Sequence, residues 1–312
     1  MASDLRLGGQ WTLAQRTKND VLYFLASAAV ATLGRLPPRA LRSAGRTLGR
    51  LARLVIPSAR RLAERNVGVA FPELDRRERS ALVARNYRTL GAYLGDAVAM
   101  LDPRRSTITL PFAAGAREAL DEAASDKHGV VFASAHLGPW ERVAATLVAS
   151  GLPFTAVARE AYDPRLTRLY DRLRGGRGVR TIYRGAPGAA AGLLRALRRG
   201  EVLGIPMDLA SRVPSIEVPF LGRIARTAVG PARLALRTGA AVVVGVPSPA
   251  ENGALELAIT RIPTSDLDAS AESERILTTR INDALSLRIR ALPEGWVWMH
   301  PRWGTQASET TL

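Results

Sequence analysis

The sequence predicts an α/β sandwich: a mainly parallel central sheet flanked by helices, preceded by N-terminal amphipathic helices. Three observations predict it. Short apolar runs such as Val130–Ala135 and Val202–Pro206 alternate with stretches of helical spacing. The strongest run, Ala241–Val246, is rich in β-branched residues, as a strand buried on both faces requires. Helical stretches stop at glycine, Ala189–Arg199 at Gly200 and Arg233–Thr238 at Gly239.

The elements follow in order. The N-terminus lacks the ordered basic, apolar and small-residue regions of a signal peptide. Val21–Gly34 is the longest early uncharged run, bounded by Asp20 and Arg35. As a helix it spans about 21 Å, short of the roughly 30 Å of a bilayer core. Two readings stand for it: a buried helix, or a helix lying shallowly in a membrane. Next, Arg35, Arg39, Arg42, Arg46, Arg50 and Arg53 recur at steps of three and four. Leu41, Ala44, Leu48, Leu51 and Val55 interleave with them, so the two stripes lie roughly opposite on one helix. Pro37-Pro38 opens this helix and Pro57 closes it. Its apolar face either packs on the body or, with the arginines, meets anionic lipid head groups.

Residues 60–100 read as helices around a break at Phe71-Pro72-Glu73, with Leu82, Tyr87, Leu90 and Leu94 on the apolar side. Strand Val130–Ala135 leads to helix Pro139–Ser150, strand Phe154–Ala158 and helix Pro164–Leu173. Strands Thr181–Tyr183, Val202–Pro206 and Ala241–Val246 follow, with Leu255–Ile262 as an antiparallel strand. Ser270–Ala291 is a long helix, Trp296–Trp303 a compact aromatic end, and Gly304–Leu312 a loose tail.

Composition narrows the chemistry. The 312 residues are 47% hydrophobic and 23% charged, enough for a large core. With no cysteine, disulfide scaffolds, thiolate metal sites and cysteine nucleophiles are excluded. Three histidines, His128, His136 and His300, leave little for a histidine metal site. The formal charge of +16 points to an anionic partner: nucleic acid, a membrane surface or a phosphorylated substrate. Only Lys18 and Lys127 are lysines among the 44 basic residues, and the Ala- and Gly-rich composition makes GC-rich coding one source of the surplus.

In open α/β sheets function collects at the carboxyl ends of strands. There the first strong strand runs into Ser134-Ala135-His136-Leu137-Gly138-Pro139-Trp140-Glu141. Gly138 and Pro139 make a bend, and Glu141 follows His136 by five positions in the first helical turn. A carboxylate on one imidazole nitrogen makes the other a better base, the logic of a His–acid pair that activates a hydroxyl. A histidine that merely fills a turn remains the alternative. Ser134 lacks the nucleophile-elbow pattern. Gly175-Gly176-Arg177-Gly178 lacks a phosphate-loop lysine, and no dinucleotide fingerprint is present. Arg159 and Asp208 each follow a strand, and each has an ordinary structural alternative, a solvated Arg or a turn Asp. His300 is read as packing and hydrogen-bonding among Trp296, Trp298 and Trp303.

The His-x4-Glu element resembles the signature of glycerolipid acyltransferases, and the wider pattern resembles the bacterial late acyltransferases of lipid A biosynthesis. Arg65-Asn66-Val67 through Phe71-Pro72-Glu73-Leu74, Ala158-Arg159-Glu160, and Arg174, Gly178 and Ile182 carry the likeness. So do Gly204-Ile205-Pro206-Met207-Asp208, Val218-Pro219-Phe220-Leu221-Gly222 with Thr227 and Gly230, and Val244-Gly245-Val246-Pro247. Asn282 and Trp296-Val297-Trp298-Met299-His300-Pro301-Arg302-Trp303 close the set, which spans roughly residues 20–303. The sequence departs from that pattern at Leu209, where many members have Gln, at Leu221, in place of a second Phe, and at Ser286, where Glu is usual. The mycobacterial phosphatidylinositol mannoside acyltransferases share the general pattern.

The resemblance implies a glycerolipid-acyltransferase-like fold. It implies transfer of a fatty acyl chain from acyl carrier protein or acyl-CoA to a hydroxyl of a lipid A precursor or related glycolipid. His136 would be the general base and Glu141 its orienting acid, with Arg159, Asp208 and Arg174 binding substrate and with no metal or cofactor. It also implies a peripheral or monotopic place on the cytoplasmic face of the inner membrane. Residues 1–62 would be a membrane-associating helical region, 63–303 the acyltransferase domain and 304–312 a flexible tail. Competing with this are a basic nucleic-acid-binding module, which the missing aromatic interleaving disfavours, and a His-dependent hydrolase on the same fold.

Overall fold

The computed structural model describes residues 11–304 except 103, 106–108 and 211. Helices α1 (Leu13–Leu33), α2 (Pro38–Val55), α3 (Pro57–Ala70), α4 (Arg76–Met100) and α5 (Ala116–Ser125) precede the sheet. Then come β1 (Val130–Ser134), α6 (Trp140–Ala149), β2 (Phe154–Ala158), α7 (Pro164–Gly175), β3 (Arg180–Tyr183), α8 (Ala189–Arg198) and β4 (Val202–Pro206). The chain continues through β5 (Ser215–Phe220), β6 (Arg223–Ala228), α9 (Gly230–Thr238), β7 (Ala241–Pro249), β8 (Leu255–Ile262) and α10 (Ala271–Ala291).

The expected α/β architecture is present. The central sheet has the order β3-β2-β4-β1-β7-β8, and only β8 runs antiparallel, against β7. Both faces are covered, as the apolar runs require. Alternate residues of β1 feed two cores: Val131 and Ala133 join Leu277, Ile281 and Leu285 of α10. Val130 and Phe132 join Leu120 of α5 and Leu147 of α6. This period-two division is the reason every β1 residue is apolar or small and buried.

Two features lie outside the sequence-based expectation. Helix α5 starts at Gly115 without a side-chain cap, so no start signal marks it. Strands β5 and β6 form a separate hairpin. Its tight turn places Leu221 at φ 53° and Gly222 at φ 83°, the pairing of a two-residue primed turn.

The N-terminal helices join the body. Helix α1 starts at a capping box, with the Thr12 hydroxyl accepting from the Gln15 N–H and the Gln15 side chain accepting from the Thr12 N–H. It is longer than the uncharged run suggested, at 21 residues, but Arg16, Lys18 and Asp20 occupy its first half. Among the described residues, no helix is long and apolar enough to cross a membrane. Arg165 ties α1 down through Asp20, at 2.7 Å, and lies over the Tyr23 ring.

Helix α2 begins and ends where its prolines predict, but its buried face differs from the leucine stripe. Leu41, Gly45 and Gly49 are buried, whereas Leu48, Leu51, Leu54 and Val55 are more than half exposed. The reason is backbone proximity. A Cβ at Gly45 would lie 2.0 Å from the Gly91 carbonyl oxygen, and one at Gly91 would lie 2.1 Å from that of Gly45. Glycines on both helices let α2 rest directly on α4. On α4, Leu82 and Tyr87 are buried as expected, while Leu94 is half exposed. Residues 62–63 lie inside α3. The tail residues 305–312 lie outside the described residues.

Candidate active site

Parallel pairing builds the site. Strands β1 and β4 are neighbours, with Ser134 opposite Pro206. His136 and Asp208 each lie two residues beyond that pair, so they face one another across the sheet end. The Asp208 Oδ2 atom accepts from the His136 backbone N–H at 2.9 Å and from the Trp296 Nε1–H at 2.7 Å. Its Oδ1 atom lies 3.0 Å from His136 Nδ1. An ionised carboxylate only accepts, so Nδ1 carries the proton and Nε2 keeps a lone pair. Asp208 is fully buried, while the His136 side chain remains 30% exposed. The carboxylate is therefore fixed and the imidazole is reachable.

Electrostatics reinforce the pair. Burial pulls the His136 imidazole down, but the charge and hydrogen bond of Asp208, with the charge of Glu141, outweigh burial and the opposing Arg174. The net shift is upward from 6.5. Burial pushes Asp208 up, yet the His136 charge and the hydrogen bonds from His136 and Trp296 leave it below the ordinary 3.8. The couple thus favours carboxylate with imidazolium, the charge state a base reaches after taking a proton.

The bend after His136 is built on Gly138, at φ 63°. A Cβ there would fall 2.8 Å from the Pro247 side chain. The Gly138 N–H donates to the Gly295 carbonyl at 3.0 Å, and Leu137 bridges to Trp296. These contacts tie the His136 loop to the aromatic end of the chain. The Trp140 ring meets the imidazole edge-on at 5.4 Å.

Glu141 has a different partner from the one the sequence suggested. Its carboxylate is forked by Arg174 of α7, at 2.7 and 3.0 Å, and both side chains are largely buried. The acid hydrogen-bonded to the imidazole is Asp208, because β4 delivers it directly opposite. Glu141 acts on His136 through charge alone, and Arg174 serves Glu141. Asp208 holds His136 through both of its oxygens. Arg159 is exposed, one residue past β2, beside Arg184, whose guanidinium is pulled down first by burial and then by the Arg159 charge. Ser134 is structural, donating to the Gly245 carbonyl at 2.9 Å.

The closing aromatic segment is the feature whose role the sequence left least defined. Trp296 and Trp298 are fully buried and pack edge-on at 4.6 Å. Asn66 and Asn86 donate to backbone carbonyls of that segment, at Trp298 and His300 and at Glu294 and Trp296. Arg302 is buried, donates to the Arg226 carbonyl and the Thr227 hydroxyl, and lies 4.4 Å from the Phe220 ring centre. Burial lowers its guanidinium to about 10 while the Asp208 charge opposes that shift. His300 Nδ1 is buried without a hydrogen-bond partner, and burial lowers its ring. Asn282 of α10 reaches Pro219 and Thr227, joining the hairpin to the same scaffold. Two of the departures noted in the sequence touch each other: the Leu221 N–H donates to the Ser286 hydroxyl at 2.9 Å.

A cavity of about 240 Å³ lies against the turn after His136, where Gly138, Pro139 and Trp140 line it. Leu90, Leu94, Ala97, Met100, Trp140 and Tyr170 give it apolar walls, and Glu141 and Arg142 stand at its polar side. Among the described residues, no three His, Cys, Asp or Glu side chains cluster as metal ligands.

Residues 12–305 match the family model for bacterial lipid A biosynthesis acyltransferases. The chain is 27% identical over 198 residues to a phosphatidylinositol mannoside acyltransferase of Mycobacterium tuberculosis (strain CDC 1551 / Oshkosh), spanning 63% of this chain and 61% of the relative. It is 25% identical over 277 residues to the lipid A biosynthesis lauroyltransferase of Escherichia coli K12, spanning 87% of each. It is also 26% identical over 183 residues to the Mycolicibacterium smegmatis phosphatidylinositol mannoside acyltransferase, spanning 58% of this chain and 59% of the relative. The family match runs from the first helix through the sheet to the aromatic end that holds Asp208, and on that extent the chain belongs to the bacterial lipid A biosynthesis acyltransferase family.

Proposed function

We propose that this protein transfers a fatty acyl chain from a thioester donor, acyl carrier protein or acyl-CoA, to a hydroxyl of a glycolipid. The observation that carries the reading is His136, its Nδ1 held by the buried Asp208 and its Nε2 left with a lone pair. Nε2 takes the acceptor hydroxyl proton as the oxygen bonds to the thioester carbonyl carbon. The tetrahedral oxyanion then collapses, the carbon–sulfur bond breaks, and the imidazolium returns its proton to the departing thiolate. No enzyme nucleophile is required, consistent with the lack of cysteine. The apolar cavity beside Glu141 suits the acyl chain, and exposed Arg159 suits a phosphate of the acceptor or donor.

The acceptor is proposed as a lipid A precursor, because the E. coli relative named for lipid A aligns over 87% of both chains. A phosphatidylinositol mannoside is the second reading, favoured by the mycobacterial relatives. The place of action is proposed as the cytoplasmic face of the inner membrane. Exposed Leu48, Leu51, Leu54 and Val55 of α2 support it, with exposed Arg39, Arg46 and Arg50 suited to anionic head groups. Mass spectrometry of lipids from cells lacking the protein tests acceptor and chain together. A missing acyl chain on one glycolipid supports the reading, and an unchanged glycolipid profile refutes it.

A further inference from the structure

A second polar cavity lies away from the catalytic dyad, between α2, α3 and α4. Its volume is about 440 Å³. Arg53, Arg60, Arg65, Arg76 and Arg79 line it against a single carboxylate, Glu64. Five guanidinium groups against one carboxylate leave a surplus of positive charge in the lining. The Ser80 hydroxyl accepts from Arg53 Nη2 at 3.1 Å and donates to Glu64 at 3.3 Å. Arg79 and Arg65 bond backbone carbonyls, at Leu74 and Gly304, and so frame the walls.

One buried donor of the lining lacks an acceptor. Arg53 Nε and the Tyr87 hydroxyl are enclosed with no hydrogen-bond partner. Of the two, Arg53 belongs to the cavity lining. Buried polar groups in native proteins are satisfied as a rule, and an orphaned guanidinium N–H beside surplus cations calls for a missing acceptor. The acceptor must be anionic and must offer several oxygens in a fork. The guanidinium fork offers an oxyanion paired donors.

We propose that this cavity binds a phosphate group, as a site separate from the His136 centre. Its rim is continuous with the C-terminal end of α2, where Leu54, Val55 and Ile56 are 63%, 72% and 47% exposed. A phospholipid head group and a soluble phosphate share the chemistry, and the test separates them. The site does not depend on acyl transfer, so His136→Ala leaves its binding unchanged.

The experiment uses the full chain, inorganic phosphate by titration calorimetry, and flotation with two vesicle types. One type is pure phosphatidylcholine and the other also contains phosphatidylglycerol. The double variant Arg53→Lys/Arg60→Gln removes the fork and one charge. Arg195→Gln/Arg198→Gln on α8 removes two exposed charges elsewhere and serves as control. The expected result is phosphate binding that the first pair weakens about tenfold and the control leaves unchanged. Phosphate-competed recruitment to the anionic vesicles assigns the site to a head group, and phosphate binding without recruitment assigns it to a soluble phosphate. Both support the site. If wild type binds neither probe, or if the control weakens binding as much, the proposal fails. Should the first pair unfold, Arg76→Gln, an exposed change, gives the same comparison.

Discussion

Replacing Asp208 with Asn is the most informative perturbation of the dyad. The two oxygens of Asp208 do different work. Oδ2 is fixed by two donors, the His136 N–H at 2.9 Å and the Trp296 Nε1–H at 2.7 Å. An amide has one oxygen, and those two donors claim it. The amide nitrogen then faces His136 Nδ1, where Oδ1 now lies at 3.0 Å. Nδ1 must become an acceptor, and the ring proton moves to Nε2, the atom proposed as base. The wrong tautomer and the lost carboxylate together remove the base contribution, about 10²–10⁴-fold in kcat. That is about 3–5 kcal/mol of barrier. The residual activity should also move in pH. In wild type the imidazole lies above 6.5, so the acid limb of the profile lies above 6.5. Without Asp208, burial is the largest remaining influence and pulls the imidazole down, so the limb moves to lower pH. The assay is acyl transfer from a thioester to glycolipid in mixed micelles across pH, with circular dichroism confirming the fold. Activity within threefold of wild type with an unmoved acid limb would refute the reasoning.

Three further outcomes are expected. Glu141→Ala strips the fork from a largely buried Arg174 and should lower unfolding free energy by about 3–5 kcal/mol, read from urea midpoints; Glu141→Ala with Arg174→Met should recover part of it, and no recovery would count against the pairing. Gly45→Ala drives a Cβ to 2.0 Å from the Gly91 carbonyl oxygen, so α2 must lift from α4, at a cost of about 1–3 kcal/mol by the same measurement. Leu51→Glu with Leu54→Glu changes side chains that are 52% and 63% exposed, so stability should hold within about 0.5 kcal/mol while flotation with vesicles is lost; retained flotation would remove α2 from the membrane account.

Much of the fold was legible because its signals are local. The runs at β1 and β7 are apolar on both faces, which only a covered parallel sheet requires. Pro37-Pro38 and Pro57 set the ends of α2 by fixing φ. The hairpin was not read as strands because Pro219 interrupts β5 and lacks an N–H for a ladder. The buried strip of α2 was misread because Gly45 and Gly49 carry no hydropathy signal, yet they are the residues that touch α4. Among the site residues, His136 stood out as a lone imidazole at a strand end. Its partner did not, because Asp208 is 72 positions away. Finding it requires knowing that β4 inserts between β1 and β2, and sequence order alone places β2 beside β1. Glu141 was near in sequence but faces α7, where Arg174 holds it.

The central claim is that His136 activates an acceptor hydroxyl for direct acyl transfer. Purified protein supplied with a labelled acyl thioester and a lipid A precursor in mixed micelles tests it, with thiol release and acylated lipid measured together. The account predicts one thiol per acylated lipid in wild type, and loss of both by about 10²–10⁴-fold in folded His136→Ala. Thiol release without acylated lipid, or full transfer by His136→Ala, would contradict it.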